Sequence, residues 1–200
     1  MKLFVLGASA ALIAGSAHAQ ELYRQNPINS FGGLSAQDAR NPGGLGWFSE
    51  VVDSFDAAAD WRIGSVEFWG GDVTDIPGNT TGFTIRFYDG EAGIVGPRLY
   101  EADVSAFTET EYYSTFINGL GTVRGYHYVV QLPTPFAVPH AGSYWISVTA
   151  LLARGGTANE PQWGWVQANT VHAPACQQWF FSPGNFRPQS QDVAFVLNAA

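Results

Sequence analysis

The stretch from Trp61 to Glu91, WRIGSVEFWGGDVTDIPGNTTGFTIRFYDGE, carries two β-strand patterns joined by a polar connection of Gly, Asp, Pro and Asn. In its second half Phe83, Ile85 and Phe87 alternate with Thr84, Arg86 and Tyr88, so an apolar set faces one way and a polar set the other. In its first half Ile63, Val66 and Phe68 lie between Trp61 and Trp69, and Gly70-Gly71 are expected to stop the run. Two strands by themselves are marginal in water, so the rest of the chain must supply an opposing layer.

Outward from that stretch the pattern repeats. Val51, Val52 and Phe55 precede it, with Asp53 and Asp56 interleaved. After it, Gly90, Gly93, Gly96 and Pro97 lead into a strand at Arg98 to Val104. Further strands are expected at Glu111 to Ile117, Gly125 to Leu132, Phe136 to Val138, Ser143 to Leu152, Gln162 to Gln167, Gln178 to Phe181 and Asp192 to Leu197. Tyr144 to Thr149 is the clearest alternator among them, with Tyr144, Ile146, Val148 and Ala150 on its apolar face. About ten short strands punctuated by turn formers predict an all-β fold, a two-layer antiparallel β-sandwich of jelly-roll type. No fixed-period repeat suggests a propeller or solenoid, and no long amphipathic helix suggests an α/β enzyme.

The composition bounds the function. The first residues, MKLFVLGASAALIAGSAHA, have a basic start, an apolar run and a small-x-small end at Ala17-His18-Ala19, the pattern of a secretory signal peptide. The expected layout is a signal peptide over 1–19, an irregular N-terminal segment over 20–46 and a β-sandwich over 47–200. The expected location is secreted or periplasmic, with no membrane span in the mature chain. Cleavage removes Lys2, the only lysine, and moves the net charge from -8 to -9. An acidic chain without lysine is a poor partner for nucleic acid or anionic lipid. The single cysteine, Cys176, allows no internal disulfide, so stability must come from packing.

Several short motifs carry a resemblance. They are Asp53-Ser54-Phe55, Trp61-Arg62-Ile63, Phe68-Trp69-Gly70, Phe83 to Asp89, Leu132-Pro133-Thr134-Pro135-Phe136, Gly142 to Val148, Trp163-Gly164-Trp165 and Asp192-Val193-Ala194-Phe195. The series resembles a loose group of secreted bacterial β-sandwich domains found in large surface or exported proteins, a group without an assigned activity. The architecture also looks like jelly-roll carbohydrate-binding modules, an analogy at the level of fold.

Three kinds of site are suggested. Trp163 and Trp165, two positions apart, point to the same side of a strand, and with Trp179 they would form a sugar-binding platform if that side were open. If it faces the other sheet, they are core residues. A structural calcium ion is the one cofactor considered. Asp72 and Asp75, with Asn79, lie in one connection and Asp89 in the next turn, which offers hard oxygen ligands on loops, although neither stretch has the spacing of a known calcium loop. His127, His140 and His172 lack zinc-ligand spacing. No nucleophile elbow, zincin helix or phosphate loop is present, and the carboxylates Glu67, Glu101, Asp103 and Glu111 are the glycosidase candidates. The expected function is an exported, non-catalytic sandwich that binds or presents a polysaccharide or surface protein. A glycan hydrolase with a carboxylate pair is one alternative, and an assembly module without ligand is the other.

Overall fold

The two strands read from residues 61 to 91 both form, but they do not pair with one another. In the computed structural model, which describes residues 19–30, 32–39, 48–72, 79–91, 93–117, 121–153, 162–180 and 186–200, the strands run in chain order as follows. They are β1 (Glu21–Gln25), β2 (Gly33–Ser35), β3 (Gln37–Asp38), β4 (Phe48–Ala57), β5 (Arg62–Asp72), β6 (Thr80–Glu91), β7 (Ile94–Val104), β8 (Phe107–Ile117), β9 (Gly121–Ala137), β10 (Gly142–Leu152), β11 (Trp163–Val166), β12 (Gln177–Phe180), β13 (Arg187–Pro188) and β14 (Phe195–Ala199). Among the described residues no helix is long and apolar enough to cross a membrane.

Two sheets result. In the first, β1, β14, β5, β9 and β8 lie side by side, and β11 with β2 continues beyond β14 along the far end of β5. In the second, β13, β12, β4, β10, β6 and β7 lie side by side, with β3 wedged between the ends of β4 and β10. Only β3 and β10 run parallel; the other strand pairs are antiparallel. The order β1-β14-β5-β9 facing β4-β10-β6-β7 is that of a jelly roll, in which two Greek keys wind across both sheets. The connection from β5 to β6 therefore crosses from one sheet to the other.

The core lies between the sheets. Phe68 of β5 meets Phe83 of β6 edge to face at 4.7 Å, and both touch Tyr128 of β9 and Trp163 of β11. A second aromatic group joins Phe55, Phe87, Phe136 and Tyr144, with Phe87 stacked on Phe136 at 4.6 Å. Phe83, Ile85 and Phe87 are all fully buried, as their alternation predicts. Each such aromatic contributes on the order of 3–5 kcal/mol, judged by truncation to Ala.

Three local expectations change. The segment 20–46, read as irregular, supplies β1, β2 and β3; ELYRQ in β1 hides its pattern because a bulge at Glu21/Tyr23 breaks the alternation. Gly70-Gly71 do not end β5, which runs on to Asp72. A Cβ at Gly70 would run into the indole of Trp163, so the glycine makes room for core packing. The two strands expected over 125–138 are one strand, β9. Its residues Leu132 to Pro135 bulge opposite Gly64, between the pairs Ile63–Phe136 and Ser65–Gln131, and the two prolines there need donate nothing to the ladder.

Candidate functional site

Trp163 and Trp165 share one face of β11, as their spacing predicts, but that face is the inner one. Both are fully buried, and the Trp165 Nε1–H donates to the Ala194 carbonyl at 2.8 Å. Trp179 lies on the outer face of the second sheet, also buried. Its Nε1–H donates to Glu50 at 3.1 Å, and its ring is packed against Phe48 and Phe186. None of the three offers an open ring face, because a two-layer fold must fill its interior and Trp is the largest filler available.

The expected calcium ligands are not brought together. Asp72 ends β5 in the first sheet, and Asp89 lies on β6 in the second, where it accepts from its neighbour Gly90 N–H at 3.1 Å. Asp75 lies outside the described residues. Among the described residues no three His, Cys, Asp or Glu side chains form a metal-binding group. The glycosidase candidates are each held by side chains of their own sheet, and Glu101 shares the Arg86 guanidinium with Glu50. Glu67 pairs with His127 at 2.9 Å, Glu101 with Arg86 at 2.6 Å, Asp103 accepts from Thr84 at 2.6 Å, and Glu111 pairs with Arg124 at 3.0 Å.

An acid pair does form where it was not sought. Asp53 of β4 and Asp192, just before β14, are both fully buried. Asp53 accepts the backbone N–H of Ser54 at 2.7 Å and of Val193 at 2.8 Å, and the Gln25 amide at 3.3 Å. Asp192 accepts the backbone N–H of His172 at 2.6 Å and of Cys176 at 3.0 Å. Loss of water and the neighbouring charge of Asp192 push the Asp53 carboxyl well above its usual 3.8. The same burial, with both carboxylates, pushes the Cys176 thiol up, and its Sγ donates to the Gln191 carbonyl at 2.7 Å. Cys176 is therefore an inert thiol rather than a nucleophile. The pair works as a latch: it pins the 172–176 segment and the start of β14 to β4.

Trp61 is half-buried and packs in part against the core. Among the described tryptophans it alone is not buried. It stands at the mouth of β5 after the turn Ala58 to Asp60, where its N–H donates to the Ala58 carbonyl at 3.2 Å and its carbonyl accepts from Val138 at 2.9 Å. Those two bonds hold the backbone on both sides. The side chain lines a cleft of about 260 Å³ together with Leu22 and Gln20 and the exposed charged residues Asp60 and Arg62. In the sequence Trp61 reads as the end of a core strand, next to Ile63 and Val66. Its place between the charged Asp60 and Arg62 at a strand end is the one local sign of partial exposure, and the side chain still packs in part on the core.

A second cleft, of about 330 Å³, opens beside the latch and is lined by Tyr23, Arg24, Ser54, Asp56, Ser143 and His172 among others. The Tyr23 ring is stacked on Phe195 at 5.4 Å, and its hydroxyl has no hydrogen-bond partner among the described residues. Burial, then Asp53, Asp192 and Asp56 in turn, push that hydroxyl up, so it remains a neutral donor and acceptor.

Comparison with known proteins adds one similarity. Residues 101–198 match the model of a domain of unknown function, DUF7901. The match starts on β7 and ends on β14, so it takes strands from both sheets but stops short of β4, β5 and β6. No curated protein and no solved structure matches the chain. The chain is thus similar to that domain over just under half of its 200 residues, and the residues lining the Trp61 cleft all lie outside the matched part.

Proposed function

We propose that this chain is an exported, non-catalytic binding module of bacterial origin that takes a surface polysaccharide, with the Trp61 cleft as its site. The observation that carries the reading is Trp61, alone among the described tryptophans in being only half-buried, in a cleft lined also by Asp60 and Arg62. An aromatic face packs against the apolar C–H face of a sugar ring, while flanking charged groups take its hydroxyls by hydrogen bonds. The cleft is just under the roughly 300 Å³ at which drug-sized sites begin, a scale suited to one ring. The leader-like residues 1–19 and the absence of lysine after them support export and argue against anionic polymers as ligands.

The hydrolase alternative requires two carboxyl groups about 5 to 10 Å apart across an open cleft. The acid pair that does form, Asp53 and Asp192, has no solvent exposure and its oxygens are occupied by backbone N–H groups, so no observation favours that alternative. A glycan array probed with the mature chain from Gln20 tests the proposal. Retention on at least one glycan, lost in Trp61→Ala while the melting temperature holds, is the expected result. Equal retention by Trp61→Ala would move the site elsewhere, and retention on nothing would end the glycan reading.

A further inference from the structure

The two clefts have no lining residue in common but draw on the same two stretches of chain. β1 contributes Gln20 and Leu22, at and next to its start, to the Trp61 cleft, and Tyr23 and Arg24 to the second. The passage from β4 to β5 contributes Asp60 to Arg62 to the first and Ser54 to Asp56 to the second. Gln20 and Tyr23 are roughly 10 Å apart along an extended chain, a span that a few linked sugar rings cover. Both clefts therefore lie beside β1 and the passage from β4 to β5, with the chain neighbours Leu22 and Tyr23 lining one each.

We infer that they are adjoining subsites for one extended, uncharged or amine-bearing oligosaccharide. The inference rests on the glycan reading of the Trp61 cleft and adds chain length and charge to it. Trp61 takes the apolar face of one ring. The second cleft has no free-standing aromatic plate but offers groups that match hydroxyls, which both donate and accept. Ser143 Oγ donates to one oxygen of Asp56 at 2.5 Å, and the Tyr23 hydroxyl is without an internal partner. The half-exposed His172 ring, its Nδ1 3.3 Å from the Gln25 side-chain oxygen, stands opposite. The one guanidinium lining this cleft, Arg24, is held by Glu21 at 2.6 Å, whereas the exposed carboxylate Asp56 lines the cleft itself. An anionic sugar entering there meets like charge, so acidic polysaccharides are disfavoured.

Calorimetry with gluco-, manno- and chito-oligosaccharide ladders of one to six rings tests this on the mature chain. The expected result, in at least one series, is affinity that climbs on the order of tenfold between one ring and four. Tyr23→Phe, which keeps the ring stack and removes only the hydroxyl, and His172→Ala should each cut that gain while leaving one-ring affinity unchanged. Trp61→Ala should remove binding at every length. Affinity independent of length, or a gain that survives both Tyr23→Phe and His172→Ala, overturns the subsite inference and leaves a one-ring pocket. Failure of every ladder and of the glycan array overturns the glycan reading itself, and the subsites with it.

Discussion

Gly70 and Trp163 show how tightly single residues are coupled in this core. The glycine sits where the indole passes over β5, and any side chain there competes with the ring. Gly70→Ala is expected to destabilise the fold by about 1–3 kcal/mol through overpacking. Combined with Trp163→Phe, which shrinks the ring, the loss should be smaller than the sum of the two single losses, read from chemical denaturation. Simple additivity would mean that the two positions do not compete. Asp53 makes a second prediction at this scale. Its carboxyl holds a proton more tightly when folded than when unfolded, so its contribution to stability is greatest below its usual 3.8. That contribution declines as pH rises from there toward the folded value. Asp53→Asn imitates the protonated acid and removes this slope. The melting temperature of the variant relative to the parent should therefore rise between pH 4 and pH 7. A difference that stays flat over that range would show that Asp53 ionises as freely in the fold as outside it.

At the scale of elements, the edges are the most instructive. β7 carries Pro97 and Arg98 and meets β6 through two register shifts, while β8 carries Glu109 and Glu111 and a shift at Glu111/Tyr113. Prolines, charges and bulges are the devices that keep an edge from pairing with another chain. The assembly alternative, whose signature is a large exposed apolar patch or an unprotected edge strand, gains no support from these edges, although Ile94 and Leu99 of β7 and Phe116 of β8 are exposed. β1 protects a third place. It covers the flank of β14, whose FVLNA sequence has no charge, and it packs Tyr23 onto Phe55 and Phe195. Deleting residues 20–26 should uncover that flank, lower the melting temperature and convert the chain to oligomers on size-exclusion chromatography. A truncated chain that stays monomeric and equally stable would show that β1 is an ornament of the sheet.

For the whole molecule, the two clefts draw on segments that the jelly roll brings together. The start of β1, the turn before β5, the end of β4 and the 172–174 segment come together around the two clefts. In sequence the 172–174 segment lies more than a hundred residues from the other three stretches, and nothing local to it signals them. The latch of Asp53 and Asp192 fixes this end by hydrogen-bonding the 172–176 segment and β14 to β4 without a disulfide.

Strand identity, the all-β class and the inward set Phe83, Ile85 and Phe87 were legible from residue order alone, because side-chain alternation is a local property of extended chain. So was the shared side of Trp163 and Trp165. Which way that side faced was decided only by tertiary structure, since a strand's two faces are equivalent until a second sheet covers one. The same holds for the crossing of β5 to β6 between sheets, for the strand pairing of ELYRQ and for the pairing of Asp53 with Asp192. Trp61 is the sharpest case: its sequence neighbours hint at an exposed position, but the cleft around it exists only once β1 and the end of β14 close over the start of β5.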